Sequence, residues 1–94
     1  MDSHRELITL FAGINDPEEM ETFLSEIFTP RELSDLAMRW QLLKELYEGN
    51  PQRVIANRHH ISLCKITRGS KLLKRDYSVT KTLLDRYYGE KGGT

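Results

Sequence analysis

Cysteine is almost absent from this chain, which has only Cys64 among its 94 residues. A single cysteine excludes an internal disulfide, so we expect a reducing compartment such as the cytoplasm. Long apolar runs are absent too, since none approaches the about 20 residues that a membrane span needs. The first residues, MDSHRELITLF, have mixed charge and no long apolar stretch, so a secretory signal is not expected. These absences favour a cytoplasmic protein without a membrane partner.

Net charge is also lacking, with 14 basic and 14 acidic residues, but the two kinds are unevenly distributed. Residues 1–49 hold eleven acids and four bases, whereas residues 50–75 hold seven bases and no acid. The seven bases are Arg53, Arg58, Lys65, Arg68, Lys71, Lys74 and Arg75. A basic third on a neutral protein indicates a local patch for a polyanion such as DNA. The alternative is an ordinary solvated helix face.

The few prolines and glycines fall between stretches with helical periodicity, and no stretch alternates as a strand would. The pattern predicts an all-α single domain over residues 1–94, with six helices and short loops. Asp16-Pro17 and Thr29-Pro30 each supply an N-cap, a proline at the first helical position and a glutamate at the third. The remaining predicted helix boundaries are Gly13, Gly49, Asn50-Pro51, Ser62, Ser78 and Gly89, and residues 91–94 are expected to fray.

Residues 52–68, QRVIANRHHISLCKITR, fit two short helices around an apolar hinge, the arrangement of a DNA-binding helix-turn-helix. An ordinary helical hairpin is the alternative, and the basic charge favours DNA. His60 stands where glycine is usual, because the turn tends to need a positive φ. The predicted packing residues are Ile55, Ala56, Ile61 and Ile66. The residues expected to project from the second helix are Leu63, Cys64, Lys65, Thr67, Arg68 and Lys71.

Two other kinds of site have little support in the sequence. His59, His60 and Cys64 could suggest a metal site, but adjacent histidines rarely bind one ion and no fourth ligand is evident. No nucleophile with a neighbouring base is evident, and Gly69-Ser70 lacks the glycine-rich loop with lysine that phosphate chemistry uses. We therefore expect neither a metal nor an enzyme.

Residues Ile66–Ser70, ITRGS, followed by Leu73-Lys74 and preceded by Phe28-Thr29-Pro30, resemble the tryptophan repressor family. The stretch LSDLAMRW at 33–40 resembles the YerC-like relatives of that family. The resemblance covers about residues 20–88. It implies an intertwined helical homodimer with a dimerisation core over about 4–49 and 77–89, and a helix-turn-helix DNA-reading head over about 51–74. It also implies a transcriptional repressor whose affinity for a duplex operator is set by L-tryptophan or a related indole acid.

The same resemblance implies two sets of site residues. The ligand-binding set is Phe28, Thr29, Arg39, Arg68, Gly69 and Leu72, with the indole between the guanidinium planes of Arg39 and Arg68. The DNA-binding set is Gln52, Arg53, Ser62, Leu63, Cys64, Lys65, Thr67, Arg68, Lys71 and Lys74. Within it, Gln52, Arg53 and Lys74 match contacts to phosphate or sugar.

Two departures from the family bear on the ligand. Leu72 stands where the family has a serine near the ligand's amino group, and leucine cannot accept a hydrogen bond from an ammonium. Glu26 stands where an apolar pocket residue is expected, and it could supply the missing acceptor or face water. The ligand could therefore be L-tryptophan, an indole acid without the amino group, or absent. Arg39 could instead pair with Asp35. A homodimer that binds a protein through the same basic face is the remaining alternative.

Overall fold

The computed structural model describes residues 2–89, and within them it contains six α-helices and no strand. The helices are α1 (Ser3–Gly13), α2 (Pro17–Ile27), α3 (Pro30–Tyr47), α4 (Gln52–His59), α5 (Leu63–Leu73) and α6 (Val79–Tyr88). The all-α prediction with six helices is confirmed for this range, and the predicted fraying at 91–94 lies outside it. None of these helices is both long enough and apolar enough to cross a membrane.

Short polar side chains begin three of the helices at the predicted positions. The Asp16 carboxylate accepts a hydrogen bond from the backbone N–H of Glu19 at 3.3 Å. Thr29 and Glu32 bond reciprocally: the Thr29 hydroxyl accepts from the Glu32 N–H at 3.1 Å, and the Glu32 carboxylate accepts from the Thr29 N–H at 2.9 Å. The Ser78 hydroxyl accepts a backbone N–H of the first turn of α6 at 3.1 Å. Each bond satisfies a donor that a helix start leaves without an intrahelical partner.

The predicted start of α4 is wrong by one residue, because Pro51 and not Asn50 is its N-cap. Asn50 instead closes the end of α3, where its backbone N–H and its side-chain Nδ2 both donate to the carbonyl oxygen of Glu45 at 3.0 Å. Gly49 ends α3 as predicted and has a φ of +94°. Ser62 is the N-cap of α5 as predicted, although its hydroxyl makes no capping hydrogen bond.

The chain divides into two compact units between residues 37 and 38, within α3. In the first unit no side chain of residues 2–37 is buried. The rings of Phe11 and Phe23 meet there edge to face, with centroids 5.5 Å apart. This unit therefore has aromatic contacts between α1 and α2 but no enclosed core of its own.

The core of the second unit is formed by α3, α4 and α5. Its buried cluster consists of Leu42, Ile55, Ala56 and Ile66, with Met38, Leu46 and Ile61 packed against it. All four predicted packing residues of α4 and α5 take part, so that prediction is confirmed. Both α4 and α5 contribute buried residues to this cluster. The two helices are therefore held together by packing as well as by their connecting turn.

Helix α5 continues through Gly69, although a glycine inside a helix costs about 1 kcal/mol relative to alanine. A Cβ atom at this position would lie 3.1 Å from Leu46 Cδ1 and 3.2 Å from Leu43 Cδ2. The missing side chain therefore allows α5 to lie close against α3.

Helix α6 is attached to α3 within the second unit. Leu84 is fully buried, and the Tyr47 hydroxyl donates a hydrogen bond of 2.6 Å to the Asp85 carboxylate. That hydrogen bond raises the pKa of Tyr47 above its ordinary value and lowers the pKa of Asp85. The rings of Trp40 and Tyr88 are 6.3 Å apart, so Trp40 has an aromatic neighbour on α6.

Candidate nucleic-acid interface

The turn between α4 and α5 has the conformation that the sequence predicted. His60 follows the last residue of α4 with φ 55° and ψ 47°, in the left-handed region. The backbone N–H of Ile61 donates to the carbonyl oxygen of Ala56 at 3.2 Å, and the Ile61 side chain packs on the core. These contacts define the path of the backbone from α4 into α5.

Helix α5 presents a buried inner face and a polar, basic outer face. Ile66 and Ser70 are buried on the inner side, next to Gly69. The residues predicted to project outward are exposed, except Thr67, which is half-buried. A shallow groove of about 480 Å³, here called the α5 groove, is lined by Leu63, Cys64, Thr67, Arg68, Lys71, Leu72 and Arg75. Arg75 was not among the predicted site residues. The groove combines cationic donors with apolar atoms, a mixture that suits base edges and thymine methyl groups.

A side-chain hydrogen bond joins the two helices next to this outer face. The Thr67 hydroxyl donates to Gln52 Oε1 at 3.0 Å, and Thr67 is less exposed than the other residues of the outer face of α5. With its oxygen engaged, the Gln52 amide keeps two N–H donors for another acceptor. Arg53, the next residue of α4, is exposed. The structure thus brings together predicted contact residues from the start of α4 and from α5.

Charge on the basic segment 50–75 differs from the sequence count at one residue. Arg58 donates to Oε1 of Glu45 at 2.6 Å, so an acid from α3 pairs with one of the seven bases. Among the described residues, the other six have no carboxylate within ion-pairing distance. The basic segment 50–75 therefore has six cations without an acidic partner among the described residues, which still favours a polyanion.

Glu45, which lies behind this interface, is a second residue that the sequence prediction missed. Its side chain is only 6% exposed, and it accepts hydrogen bonds from Gln41 at 2.7 Å, from Arg58 at 2.6 Å and from His59 Nε2 at 2.7 Å. Burial by itself raises the pKa of Glu45, but the hydrogen bonds from Gln41 and His59 and the charges of His59 and Arg58 lower it below its ordinary value. We call these four residues the Glu45 cluster.

Two irregularities in the sequence, taken together, indicate the Glu45 cluster. Glu45 lies between Leu42 and Leu46 on the apolar side of α3, and His59 lies where this kind of motif usually has an apolar residue. An acid and a base that each interrupt an apolar face are natural partners when the two faces meet. The His59 ring is thereby engaged, and within residues 2–89 no three His, Cys, Asp or Glu side chains are grouped as a metal site would need.

The predicted ligand-binding residues are distributed over both units. Arg68 and Leu72 line the α5 groove, and Arg39 is exposed on the part of α3 that belongs to the second unit. Phe28 and Thr29 belong to the first unit, where the Thr29 hydroxyl caps α3.

Two details of α2 and α3 bear on the alternatives that the sequence left open. Asp35 pairs with Arg31 at 3.6 Å, so its carboxylate already has a cationic partner one turn earlier on α3. Glu26 is exposed on α2. Both observations leave Arg39 and Glu26 open to other contacts.

Comparison with known proteins identifies relatives of this chain. A family model described as "Trp repressor protein" matches residues 2–87. The chain is 38% identical over 61 residues to a "Trp operon repressor homolog" of Chlamydia trachomatis serovar D, a match that covers 60% of this chain and 65% of the relative. The homologue of the same name from serovar L2 shows the same identity and coverage. The matched region thus spans slightly less than two thirds of these relatives. No solved structure matches the chain.

Proposed function

The chain belongs to the Trp repressor family, and we propose that it is a DNA-binding transcriptional repressor that acts as a homodimer. The observation that carries this proposal is the outer face of α5, which exposes both cationic and apolar side chains. The opposite face of the same helix is packed in the core. Base edges in the major groove present both acceptor atoms and methyl groups. A rigid helix with this mixture of side chains is suited to contact them.

In this proposal α4 and α5 form a helix-turn-helix, with α5 in the major groove and the start of α4 at the DNA backbone. Leu63, Cys64, Lys65 and Lys71 face base edges. Gln52, Arg53, Ser62 and Lys74 contact phosphates or sugars. Support comes from the hydrogen bond between Thr67 and Gln52, which engages the Gln52 oxygen and leaves the Gln52 N–H groups available to an acceptor. Contacts with phosphate position the protein, whereas contacts with bases select the sequence.

The proposal is tested by selecting duplexes from a random pool and comparing the best one with an unrelated duplex at fixed salt. Lys65→Ala should weaken binding to the selected duplex by about 1–3 kcal/mol and relax base preference at one position. Arg53→Ala should weaken binding to both duplexes by the same factor. It should also reduce the magnitude of the slope of log affinity against log salt by about 1. Arg86→Ala removes an exposed cation from α6 and serves as the control.

Two outcomes would contradict this assignment. If the wild-type chain binds every duplex with the same affinity, the basic face does not select sequence, and a protein partner becomes the better candidate. If Lys65→Ala loses the same affinity on all sequences, Lys65 contacts the backbone and not a base.

We further propose that an indole acid regulates the DNA affinity. Arg68 and Leu72 line one groove, and Arg39 lies on α3 one turn before Leu43, which together with Leu46 faces α5 at Gly69. Residues spaced by four and then three lie on one side of a helix, so Arg39 lies on the side of α3 that faces α5. The proposed set also includes Thr29 and Phe28 of the first unit, and for these two residues it rests on the resemblance to the family. Leu72 offers no acceptor for an ammonium group, which favours an acid without one.

Calorimetric titration with L-tryptophan, indole-3-acetate and indole-3-propionate tests the ligand. The wild-type chain should prefer the acids without an amino group, and Arg68→Ala should bind none of them. Leu72→Ser should shift the preference toward L-tryptophan by about 1–3 kcal/mol because it restores an acceptor. Leu63→Ser makes the same exchange elsewhere in the α5 groove and should leave the preference unchanged. No binding of any of the three would leave a DNA-binding regulator without an indole ligand.

The homodimer is supported by how little of a single chain is enclosed. No side chain of residues 2–37 is buried, while Leu7, Ile8, Leu10, Ile27 and Leu36 are exposed. Small domains often complete their core by association, and the symmetry of a dimer would present two copies of α5 to adjacent half-sites.

A further inference from the structure

The Glu45 cluster joins α3 to the last turn of α4, immediately before the turn that leads into α5. Arg58 and His59 are the final residues of α4, and each contacts a different oxygen of the Glu45 carboxylate. His60 then takes the left-handed conformation from which α5 starts. The carboxylate is thus bonded to the segment whose orientation determines the direction of α5.

The carboxylate adds something to this junction that apolar packing does not provide. The cluster of Leu42, Ile55, Ala56 and Ile66 already holds α4 and α5 on α3, but burial of apolar surface has little directional preference. Hydrogen bonds to a charged group are short and directional, and here two of them fix the end of α4 from opposite oxygens. Buried ion pairs are often no more stabilising than apolar residues of similar volume, so orientation is the property that this arrangement contributes.

We infer that Glu45 is a positioning residue that sets the orientation of α5 for sequence-selective DNA binding. The inference rests on the proposed function, because it concerns how that function is achieved. Glu45 itself is buried and does not contact the DNA; it acts through Arg58, His59 and the turn at His60. Without the carboxylate, α4 and α5 remain packed on the core, but the basic outer face of α5 loses its fixed angle. Attraction to phosphates tolerates such a change, whereas contacts with base edges do not.

The test measures the ratio of affinities for a selected duplex and an unrelated duplex, at a temperature where circular dichroism shows every variant folded. Glu45→Met keeps the volume and removes the hydrogen-bond acceptor. It should lower the ratio by about tenfold or more while the affinity for the unrelated duplex changes by less than about threefold. Leu42→Val is the matched control, because it weakens the core one turn earlier on α3 but leaves the Glu45 cluster intact. Its ratio should equal that of the wild type.

A second variant keeps the test decisive if Glu45→Met does not fold. Arg58 is about half exposed, so Arg58→Ala removes one of the two fixing hydrogen bonds without opening a cavity in the core. This variant should also lower the ratio of the two affinities. The mere loss of a phosphate contact would instead weaken binding to both duplexes equally and leave the ratio unchanged. An unchanged ratio in a folded Glu45→Met chain, or in Arg58→Ala, would overturn the inference while leaving the proposed function intact. A wild-type chain without sequence preference would instead remove the proposed function, and the positioning role with it.

Discussion

At the scale of single residues, Glu45 shows how a buried charge is made tolerable. An isolated carboxylate in an apolar region would take up a proton, because burial disfavours the ionised form. Gln41, Arg58 and His59 replace the lost water with three donors, and the pKa of Glu45 falls below its ordinary value of 4.5 in spite of burial. Glu45 is therefore ionised in the folded chain near neutral pH.

The lowered pKa predicts how stability depends on pH. Since the pKa of Glu45 is lower in the folded than in the unfolded chain, its ionisation stabilises the fold above its ordinary pKa of 4.5. This contribution is lost as the pH falls through the lowered, folded-state pKa. We expect the difference in unfolding free energy between wild type and Glu45→Gln to shrink as the pH is lowered below about 5. Urea unfolding at a series of pH values measures this difference.

The comparison variant for this titration is Leu42→Val, which changes no titratable group. Its difference in unfolding free energy from the wild type should not vary with pH over the same range. A constant difference for Glu45→Gln as well would mean that protonation of Glu45 is not coupled to folding.

At the scale of the helices, the connection between α4 and α5 carries measurable strain at His60. A residue with a Cβ atom in the left-handed conformation costs roughly 1 kcal/mol, and His60 is exposed with φ 55°. His60→Gly should therefore raise the unfolding free energy above that of His60→Ala by up to about 1 kcal/mol, since alanine keeps the strain and glycine relieves it. Urea unfolding of the two variants, His60→Gly and His60→Ala, measures this difference in unfolding free energy. A His60→Gly chain that is less stable than His60→Ala would show that the turn is not strained in solution.

The same helices show which features a sequence can predict. The starts of α2, α3 and α6 were predictable because Asp16, Thr29 and Ser78 bond to backbone groups only three residues away. The packing of α4 on α5 followed from apolar spacing around a short turn. Asn50 was misplaced because its side chain bonds backward to Glu45 and not forward into α4.

In the candidate site as well, features that depend on local spacing were predictable from the sequence, and features that depend on contacts between distant segments were not. The exposed outer face of α5 followed from helical periodicity over eleven residues. The Glu45 cluster did not, because Glu45 lies 13 and 14 residues from Arg58 and His59. The approach of Gly69 to Leu43 and Leu46 likewise depends on how α3 and α5 meet in space, which spacing within one helix does not determine.

At the scale of the whole molecule, the distribution of apolar residues predicts association. Leu10 is 52% exposed on α1, and no side chain of residues 2–37 is buried, so this part of the chain keeps much apolar surface in water as a single copy. We expect a dimer in analytical ultracentrifugation at micromolar concentration and a melting temperature that rises with protein concentration, because mass action stabilises a folded dimer. Leu10→Lys should lower the dimer fraction, whereas Thr9→Lys introduces the same charge at a polar exposed neighbour and should change it less. A monomeric mass with a melting temperature independent of concentration would contradict the homodimer. It would also remove the paired half-sites from the proposed mode of DNA binding, leaving one α5 helix for each binding event.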